Sequence, residues 1–428
     1  MGECMASGPL AGVKVLEFTQ IIAGPFCCML LADMGADVVK FEPLEGEPWR
    51  LMVELVPKES RVFASLNRGK KGVAMDMSRP EAQDAIHRMV KDADVVVINY
   101  RPGVAEQLRI DYETLSALNP RLIYCENTAF GRKGPLARRG GYDIVVQAMT
   151  GLMAGEAKMS GEVPTYIYPA VADYATGIQM ANSISAALYV REKTGKGQRI
   201  DSTLMGTAIA MQTSQFTFID AWDGETLPQM LQHVHQARLD RQSFLEQVQV
   251  HNRFRPVVAG NIYYRVYQTS DGFIAIGALS NALRLKVLAA TGLKDSRFRP
   301  NGGFEVAPEG WDEEGPRLVA EAEALFMTRS TEEWAQTFED HGVPAGALHF
   351  IEELFEHPQT LENGLVAELD HELLGHMRMV GPPFQMSETP LAPQGPSPTL
   401  GGNTDSVLMH AGFTPEDIDH MRSKGVIR

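Results

Sequence analysis

Short apolar runs alternate with amphipathic stretches along the first 205 residues of the chain. The runs at 13–18, 37–41, 94–98 and 122–125 are rich in Val, Ile and Leu and have the length of β-strands. Between them, stretches such as 79–92 space their apolar residues as one face of a helix does. Strands that alternate with helices predict an α/β fold with a mostly parallel sheet.

Glycine, proline and basic residues set the predicted boundaries inside this region. The Gly-Pro pair at 24–25 predicts the start of a helix that ends at Gly35. The basic segment 67–72 predicts a turn, and a short strand is expected after it at 73–77. Residues 199–201 are expected to enter a further helix, because Met and Ala dominate the stretch that follows.

The pattern changes beyond this region. Residues 222–256 are polar and mixed, which predicts a connecting arm or a domain boundary. The apolar runs at 261–268 and 272–276 predict an antiparallel pair of strands, because a Ser-Asp-Gly turn separates them. We therefore expect a large α/β domain over residues 1–205 and a smaller α+β domain over residues 225–330.

The last hundred residues predict one helix and one extended tail. The helix covers 332–341 and ends at Gly342. The segment 381–402 is rich in Pro and Gly, which favours an extended chain lying over another surface rather than a unit that folds by itself.

One stretch, residues 168–177, brings a single carboxylate to the start of a predicted helix. An extended apolar run leads into Asp173, and the small residues after it indicate a helix packed closely against a neighbour. The free N–H groups at a helix N-terminus favour a negative charge. Asp173 is therefore either a helix N-cap, the commoner role of an aspartate at such a position, or a functional carboxylate.

Net charge and cysteine usage narrow the class of protein. The formal net charge is −15 over 428 residues, which argues against binding to nucleic acid or to an anionic membrane surface. No apolar run approaches membrane-spanning length, and the first residues do not have the pattern of a signal peptide. The four cysteines form neither a CxxC pair nor a disulfide framework. We expect a protein of the reducing cytoplasm that binds neither nucleic acid nor membranes.

Common ligand-binding motifs are absent from the sequence. No GxGxxG follows a predicted strand, and no P-loop, HExxH or GxSxG is present. His233 and His235 lack further ligands, so no metal site is predicted. The basic segments 68–71, 138–139 and 191–196 could hold phosphates as a set, although each alone is more often a solvated loop.

Several motifs follow one another along the first 205 residues in an order typical of one family. They lie at 9–16, 23–25, 31–40, 66–71, 99–103, 140–143, 171–173 and 194–198. Together they resemble the class III CoA-transferases, the family of formyl-CoA transferase, carnitine CoA-transferase and α-methylacyl-CoA racemase. The likeness is looser afterwards, at 260–261 and 271–272. The resemblance implies a Rossmann-like large domain that residues 331–428 complete, and an interlocked dimer.

The resemblance also implies a reaction. Asp173 would be the nucleophile that moves CoA from an acyl-CoA to a carboxylic acid, through an aspartyl anhydride and an aspartyl-CoA thioester. Asp143 would be a second active-site acid. Because an ordinary aspartate is ionised at pH 7, no auxiliary base is expected. CoA enters as a thioester co-substrate and no metal is implied. The residues expected at the CoA site are Gln20, Ile22, Arg68, Asn99, Tyr100, Arg101, Arg139 and Tyr142.

Two departures from the family pattern matter. Tyr142 stands where the racemases have a histidine, and a tyrosine is a poor acceptor for an α-proton, which favours transfer. Transferases often have an arginine that contacts CoA just after the second strand, but here Glu42 is followed by Pro43. That contact would have to come from Arg50 or Arg68.

Three functions stay open on the sequence alone: a CoA-transferase, a racemase or isomerase on the same scaffold, and a non-catalytic CoA-binding subunit of a hetero-oligomer. The aspartate at 173 counts against the third function and Tyr142 against the second. A homodimer is expected, with a heteromer of two paralogous chains as the alternative. Arg138 or Arg139 could pair the distal carboxylate of a dicarboxylic acid or a phosphate of CoA.

Overall fold

The chain divides into two units. A computed structural model describes residues 8–254, 261–299, 303–304 and 311–428. Unit 1 combines the chain up to Gly224 with Ser243–Val248 and Pro358–Arg428, and unit 2 consists of Glu225–Gln242 and Gln249–His357. Cys4 and Gly260, which were considered above, lie outside the described residues.

Six strands of unit 1 form one parallel sheet. They are β1 (Lys14–Phe18), β2 (Asp37–Glu42), β3 (Lys70–Ala74), β4 (Val95–Ile98), β5 (Ile123–Thr128) and β6 (Gln198–Thr203). The strand order is β6-β5-β4-β1-β2-β3, and every neighbouring pair is parallel. The predicted parallel α/β sheet is confirmed. Its order reverses between β1 and β4, as at the topological switch point where Rossmann-like sheets bind ligands.

Helices cover both faces of this sheet, which explains the apolar runs in the inner strands β1, β2 and β4. The helices that matter for the site are α1 (Ala23–Asp33), α2 (Pro80–Val90), α3 (Asp143–Met149), α4 (Val171–Thr194) and α5 (Leu204–Ala210). One buried cluster joins Leu31 of α1 and Ile184 of α4 to the sheet, and a second joins Ile86 of α2 to the other face.

The helix predicted to pack closely is α4, and its neighbour is α1. A Cβ atom placed on Gly177 of α4 would lie 2.9 Å from the backbone oxygen of Ala23 and 2.9 Å from the ring of Phe26. Only glycine fits at this contact. The two helices therefore meet just one turn beyond Asp173, and α1 begins beside the start of α4.

Shorter elements complete unit 1. The helices are Pro48–Leu51, Arg61–Leu66, Val104–Gln107, Tyr112–Leu118, Leu152–Glu156, Pro358–Glu362, Thr404–His410 and Pro415–Ser423. The paired short strands are Glu54–Val56 with Glu59–Ser60, Met159–Ser160 with Val163–Pro164, and Val366–His371 with Gly375–Val380. The Pro/Gly-rich tail at 381–402 contains no helix or strand and leads along the edge strand β3, where the amide N–H of Gly72 donates to Asn403 Oδ1 over 2.9 Å.

Unit 2 contains an antiparallel sheet and its own core. The strands Tyr264–Gln268, Phe273–Gly277 and Ala345–Ala347 form this sheet, so the predicted hairpin is confirmed. The other elements are the strand pair Phe298–Arg299 with Gly303–Phe304, the helices Asn281–Thr291, Trp311–Phe326 and Thr331–His341, and the 3₁₀ helix Ile351–Phe355. The predicted helix end at Gly342 is also confirmed. Trp334 and Phe338 are buried in this core, which explains why 331–357 groups with unit 2.

Two local predictions are wrong, each because charged residues conceal part of a strand. Strand β3 already includes Lys70 and Lys71 of the predicted turn, since the buried Lys70 ammonium pairs with Glu17. Residues 199–201 lie in strand β6, where Arg199 pairs with Glu126 of the adjacent strand. In the stretch 222–256, where a connecting arm or a domain boundary was expected, the chain does pass between the two units, and the helices Asp220–Leu239 and Phe244–Asn252 occupy it.

Candidate active site

A cavity of about 310 Å³ lies where β1, β4, β5 and β6 end. Its lining residues are Gln20, Ile21, Ile22, Asn99, Tyr100, Arg101, Pro102, Asn127, Thr128, Ala129, Arg139, Gly140, Gly141, Tyr142, Val145, Asp173 and Leu204. The residues from 20 to 22 follow β1 and those from 99 to 102 follow β4. The cavity therefore occupies the switch point of the sheet, where the two neighbouring connections leave toward opposite faces.

Asp173 reaches this cavity from the first turn of α4. The N-cap of α4 is Ala170, and it makes no side-chain capping hydrogen bond. Within the described residues, the carboxylate of Asp173 accepts no hydrogen bond, and only 8% of the residue is exposed. The N-cap role considered for Asp173 is therefore wrong. Its carboxylate faces the cavity instead of satisfying the helix end.

Asp143 caps α4 from outside the helix. One of its carboxylate oxygens accepts hydrogen bonds from the amide N–H groups of Ala172 over 2.8 Å and of Asp173 over 3.2 Å. Its other oxygen accepts one from the side-chain amide of Gln147. Gln147 in turn exchanges two hydrogen bonds with the backbone of Ile167. Asp143 therefore fixes the backbone that carries Asp173, and it does not itself line the cavity.

The acid–base state of Asp173 differs from the sequence-based expectation. Burial, and after it the neighbouring carboxylate of Asp143, raises the pKa of Asp173 to about 7. A buried carboxylate without a cation loses the hydration that stabilises its charge. At neutral pH a substantial share of the molecules therefore carries this aspartate protonated, and the reactive anion becomes the dominant form only above pH 7.

The segment from Gln20 to Ile22 forms the part of the cavity wall that lies next to the first turn of α1. The side-chain amide of Asn99 exchanges two hydrogen bonds with the backbone of Gln20, at 2.9 and 2.8 Å. The N–H of Ile21 donates to Glu47 over 2.7 Å. Within the described residues, no group accepts a hydrogen bond from the N–H of Ile22, the N-cap of α1. This N–H and the helix end are thus free to face a developing negative charge.

Comparisons with known proteins decide the family. The profile of CoA-transferase family III matches residues 10–404. The chain belongs to this family. Succinyl-CoA:glutarate CoA-transferase from Mus musculus is 31% identical over 432 residues, which cover 99% of this chain and 92% of that protein. Alpha-methylacyl-CoA racemase from Homo sapiens is 28% identical over 98% of this chain and 97% of that protein.

A solved structure shows the same fold along most of the chain. It is the crystal structure of a mutant of Rv3272 from Mycobacterium tuberculosis, with a TM-score of 0.73 and 27% sequence identity. The match covers 94% of this chain and 99% of that chain. The resemblance inferred from the motifs is thereby confirmed.

Two arginines of this family III member line the cavity. Arg101 follows β4, and Arg139 lies in the turn before α3. Within the described residues, neither forms an ion pair with a carboxylate. A Cβ atom on Gly140 would lie 3.4 Å from the guanidinium nitrogen Nε of Arg101, so glycine lets this turn pass close to that side chain. Arg138 is exposed and does not line the cavity.

The structure does not bring Arg68 or Arg50 to the cavity. Arg68 is fully buried and pairs with Asp33 over 2.6 Å. Arg50 is fully buried between Glu42 and Glu59, at 2.7 and 2.8 Å. Both guanidinium groups already have their partners, which argues against the predicted contacts with CoA. Sequence alone could not distinguish these structural arginines from ligand-binding ones.

Several lining residues were not predicted from the sequence. They include Ile21, Asn127, Thr128, Val145 and Leu204. Their common signal is position, because most of them directly follow or end strands of the sheet. Asn127 has the most chemical interest, since its side-chain oxygen is buried without a hydrogen-bond partner among the described residues.

A second cavity, of about 460 Å³, adjoins the first. Gln20 and Tyr100 line both cavities. The second cavity is bounded by the ends of β1, β2 and β3, and it is lined by Thr19, Gln20, Pro43, Leu44, Glu45, Glu47, Met75, Asp76, Met77, Ser78, Tyr100, Val104 and Leu108. A ligand that is longer than the first cavity could therefore extend past Gln20 and Tyr100.

The described part of the chain contains neither a candidate metal site nor a candidate membrane-spanning helix. No group of three or more His, Cys, Asp or Glu side chains there could hold a metal ion. His233 hydrogen-bonds the carbonyl of Gln229. No helix among the described residues is both long enough and apolar enough to span a membrane. Cys27, Cys28 and Cys125 are buried free thiols.

Proposed function

We propose that the protein is an acyl-CoA:carboxylate CoA-transferase that uses Asp173 as its nucleophile. The observation that carries the proposal is a single buried carboxylate, free of cations and hydrogen bonds among the described residues, that faces the switch-point cavity of a family III member. Such a carboxylate can attack a thioester, because an acyl-carboxylate intermediate conserves the energy of the thioester.

Each proposed step exchanges one bond for another. An oxygen of Asp173 attacks the acyl carbonyl of the donor, the carbon–sulfur bond breaks, and an aspartyl anhydride and CoA thiolate result. The thiolate attacks the aspartyl carbonyl and releases the donor acid, which leaves an aspartyl-CoA thioester. The acceptor carboxylate attacks that thioester and forms a second anhydride. The thiolate then attacks the acceptor carbonyl, which yields the new acyl-CoA and regenerates Asp173.

Residues around Asp173 support these steps. Asp143 holds the backbone at Ala172 and Asp173, so the nucleophile starts from a fixed position. The N–H of Ile22 and the first turn of α1 offer donors for the oxygen that becomes negative during attack. The raised pKa of Asp173 indicates that its anion is poorly solvated and hence more reactive than an exposed carboxylate.

The two adjoining cavities suit a CoA thioester. We place the thioester beside Asp173 in the first cavity, and one end of the substrate, either the acyl group or the CoA arm, extends past Gln20 and Tyr100 into the second cavity. Among the described residues, Arg101 and Arg139 are the cations that line either cavity, and they would bind a phosphate of CoA or a distal carboxylate of the acyl group. The mouse relative is named for two dicarboxylic acids, so we propose dicarboxylates as the first substrates to assay.

Isotope transfer tests this mechanism. The acceptor acid is labelled with ¹⁸O in its carboxylate and incubated with enzyme and acyl-CoA. One labelled oxygen should appear in the peptide that contains Asp173 and, after a further cycle, in the released donor acid. Mass spectrometry of a panel of donors and acceptors identifies the active pair. Transfer that leaves the Asp173 peptide unlabelled would exclude the anhydride route.

Racemisation is the second candidate, since a racemase is among the relatives. Inversion at the α-carbon requires two acid–base groups, one on each side of that carbon. Among the described lining residues, Asp173 is the one carboxylate, and burial raises the pKa of Tyr100, which makes it a poor base. We therefore expect no deuterium at the α-carbon of a 2-methylacyl-CoA in heavy water. Exchange seen by NMR at a rate equal to transfer would restore the racemase hypothesis.

We further propose that the protein is an interlocked homodimer. Large apolar side chains are exposed on and after α4, at Ile178, Tyr189, Phe216 and Trp222. Exposed apolar surface of this extent is typical of a contact with another chain. Because interlocked chains separate only by unfolding, dilution should not yield monomers. A reversible monomer–dimer equilibrium in analytical ultracentrifugation would contradict interlocking, and a second, different chain in the native particle would favour the heteromer.

A further inference from the structure

The wall of the active-site cavity contains a strained backbone. Ile21 has a φ of 71°, in the left-handed region that β-branched residues seldom adopt. Its neighbours Gln20 and Ile22 line the same cavity as Asp173. Such a conformation persists only where surrounding groups hold it, and it is concentrated at functional sites. The groups that hold Ile21 are therefore candidates for a role in the reaction.

Glu47 is the group that holds Ile21 directly. One of its carboxylate oxygens accepts the N–H of Ile21 over 2.7 Å, and the other lies 3.0 Å from the ammonium of Lys40. That ammonium also donates to the carbonyl of Thr19 over 3.0 Å. The segment is thus tied at both Thr19 and Ile21 to one buried ion pair. Glu47 is 2% exposed and Lys40 is fully buried.

We propose that Glu47 is a positioning residue for CoA transfer. The hydrogen bond from the N–H of Ile21 to Glu47 keeps Ile21 in the left-handed conformation. In this conformation the chain turns so that the N–H of Ile22 and the start of α1 face the cavity of Asp173. Asn99 fixes Gln20 only, so the direction of the chain after Gln20 depends on Glu47. The proposal rests on Asp173 being the nucleophile, because the positioned N–H groups serve the oxygen that its attack creates.

The chain offers two matched controls. Glu59 is 1% exposed and belongs to the same region of buried charge, where it pairs with Arg50, but it makes no bond to residues 20–22. Glu54 lies seven residues after Glu47, is exposed and lines neither cavity. Glu59→Gln therefore reproduces the loss of a buried charge, and Glu54→Gln reproduces the loss of an exposed charge in the same region.

The test is steady-state kinetics of the full-length enzyme with saturating acceptor acid. Glu47→Ala should lower kcat about 100-fold, the effect expected when reacting groups are displaced by about 1 Å. Glu47→Gln keeps an acceptor oxygen but loses the charge opposite Lys40, so it should lower kcat by about tenfold. The KM for acyl-CoA should stay within about threefold in both variants, since an interaction that forms only in the transition state affects kcat and not KM.

Three results would overturn the proposal. A kcat of Glu47→Gln equal to that of Glu59→Gln at matched thermal stability would indicate a purely structural role. A raised KM with unchanged kcat would indicate that Glu47, which borders the second cavity, binds CoA instead. Full activity in Glu47→Ala would exclude any role. In each case Asp173→Ala should still abolish transfer, so failure of this proposal is distinguishable from failure of the proposed function.

Discussion

Two buried carboxylates of unit 1, Glu17 and Asp173, have opposite electrostatic surroundings. Glu17 is fully buried at the end of β1, with the ammonium groups of Lys40 and Lys70 at 3.1 and 2.8 Å and the hydroxyl of Thr19 at 2.6 Å. Although burial opposes it, the two lysines lower the pKa of Glu17. Asp173 has no cation beside it among the described residues, and burial together with Asp143 raises its pKa to about 7.

The difference in surroundings distinguishes a carboxylate that stabilises the fold, Glu17, from one that is available to react, Asp173. Around Glu17 every charged group contacts a group of opposite charge. These ion pairs hold β1, β2 and β3 together and leave no charged group available to react. Asp173 is held through its backbone and not through its carboxylate. Its charge is therefore unstable in the free protein and available to an incoming carbonyl. Substitutions at the two sites test whether these two roles are as distinct as the geometry indicates.

The largest effect is expected for Asp173→Ala. Transfer should fall by at least about 1,000-fold, as when the nucleophile is removed from other covalent enzymes. The fold should persist, because Asp143 and not Asp173 caps α4. The measurement is CoA exchange between the best donor and acceptor, with circular dichroism as the control for folding. Activity within tenfold of the unchanged enzyme would contradict the assignment of the nucleophile.

Lys40→Met should have the largest effect on stability. It leaves Glu17 and Glu47 without their shared cation, and removal of one partner from a buried ion pair typically costs about 3–5 kcal/mol of the free energy of unfolding. Lys58→Met, in an exposed pair with Glu45, should cost less than about 1 kcal/mol. Urea denaturation measures both. Equal losses would show that the buried network does not stabilise the fold.

The same comparison explains what sequence could predict. The parallel sheet followed from apolar runs and turn positions, because those patterns depend on local burial, whereas the residues of the site followed from the resemblance to a family. Lys70 and Arg199 were misread, since a charged side chain in a strand cannot be told from one in a loop until its partner is known. Arg68 was assigned to CoA for the same reason, although it pairs with Asp33.

The raised pKa of Asp173 could not be predicted from the sequence either. It depends on the depth of burial and on Asp143, which lies 30 residues away along the chain and meets α4 only in the folded protein. The strain at Ile21 and its support by Glu47 are likewise products of packing. The family resemblance therefore located Asp173 and several other lining residues of the cavity but not their electrostatic state.

Asp173→Asn should stabilise the protein in a pH-dependent way. The pKa of Asp173 is higher in the folded than in the unfolded chain, so its ionisation costs stability, and this cost grows as pH rises toward 7 and is complete above it. An amide of the same shape avoids the cost. Between pH 5 and pH 8 the advantage of Asp173→Asn in free energy of unfolding should grow by about 2.6 kcal/mol. An advantage independent of pH, measured by denaturation at both pH values, would contradict the raised pKa.

The smallest expected effect concerns Asp143→Asn and the pH profile of transfer. In the unchanged enzyme, kcat/KM should rise with pH through a midpoint near 7, as the carboxyl of Asp173 ionises. Asp143→Asn removes the neighbouring negative charge, so the midpoint should move to lower pH but stay above that of an ordinary aspartate, because burial remains. The substrates titrate equally in both assays, so the difference belongs to the enzyme. Gln147→Leu is the control: it removes the hydrogen bond to Asp143 without changing charge, and it should lower the rate at every pH without this shift. An unmoved midpoint in Asp143→Asn would show that burial alone sets the pKa of the nucleophile.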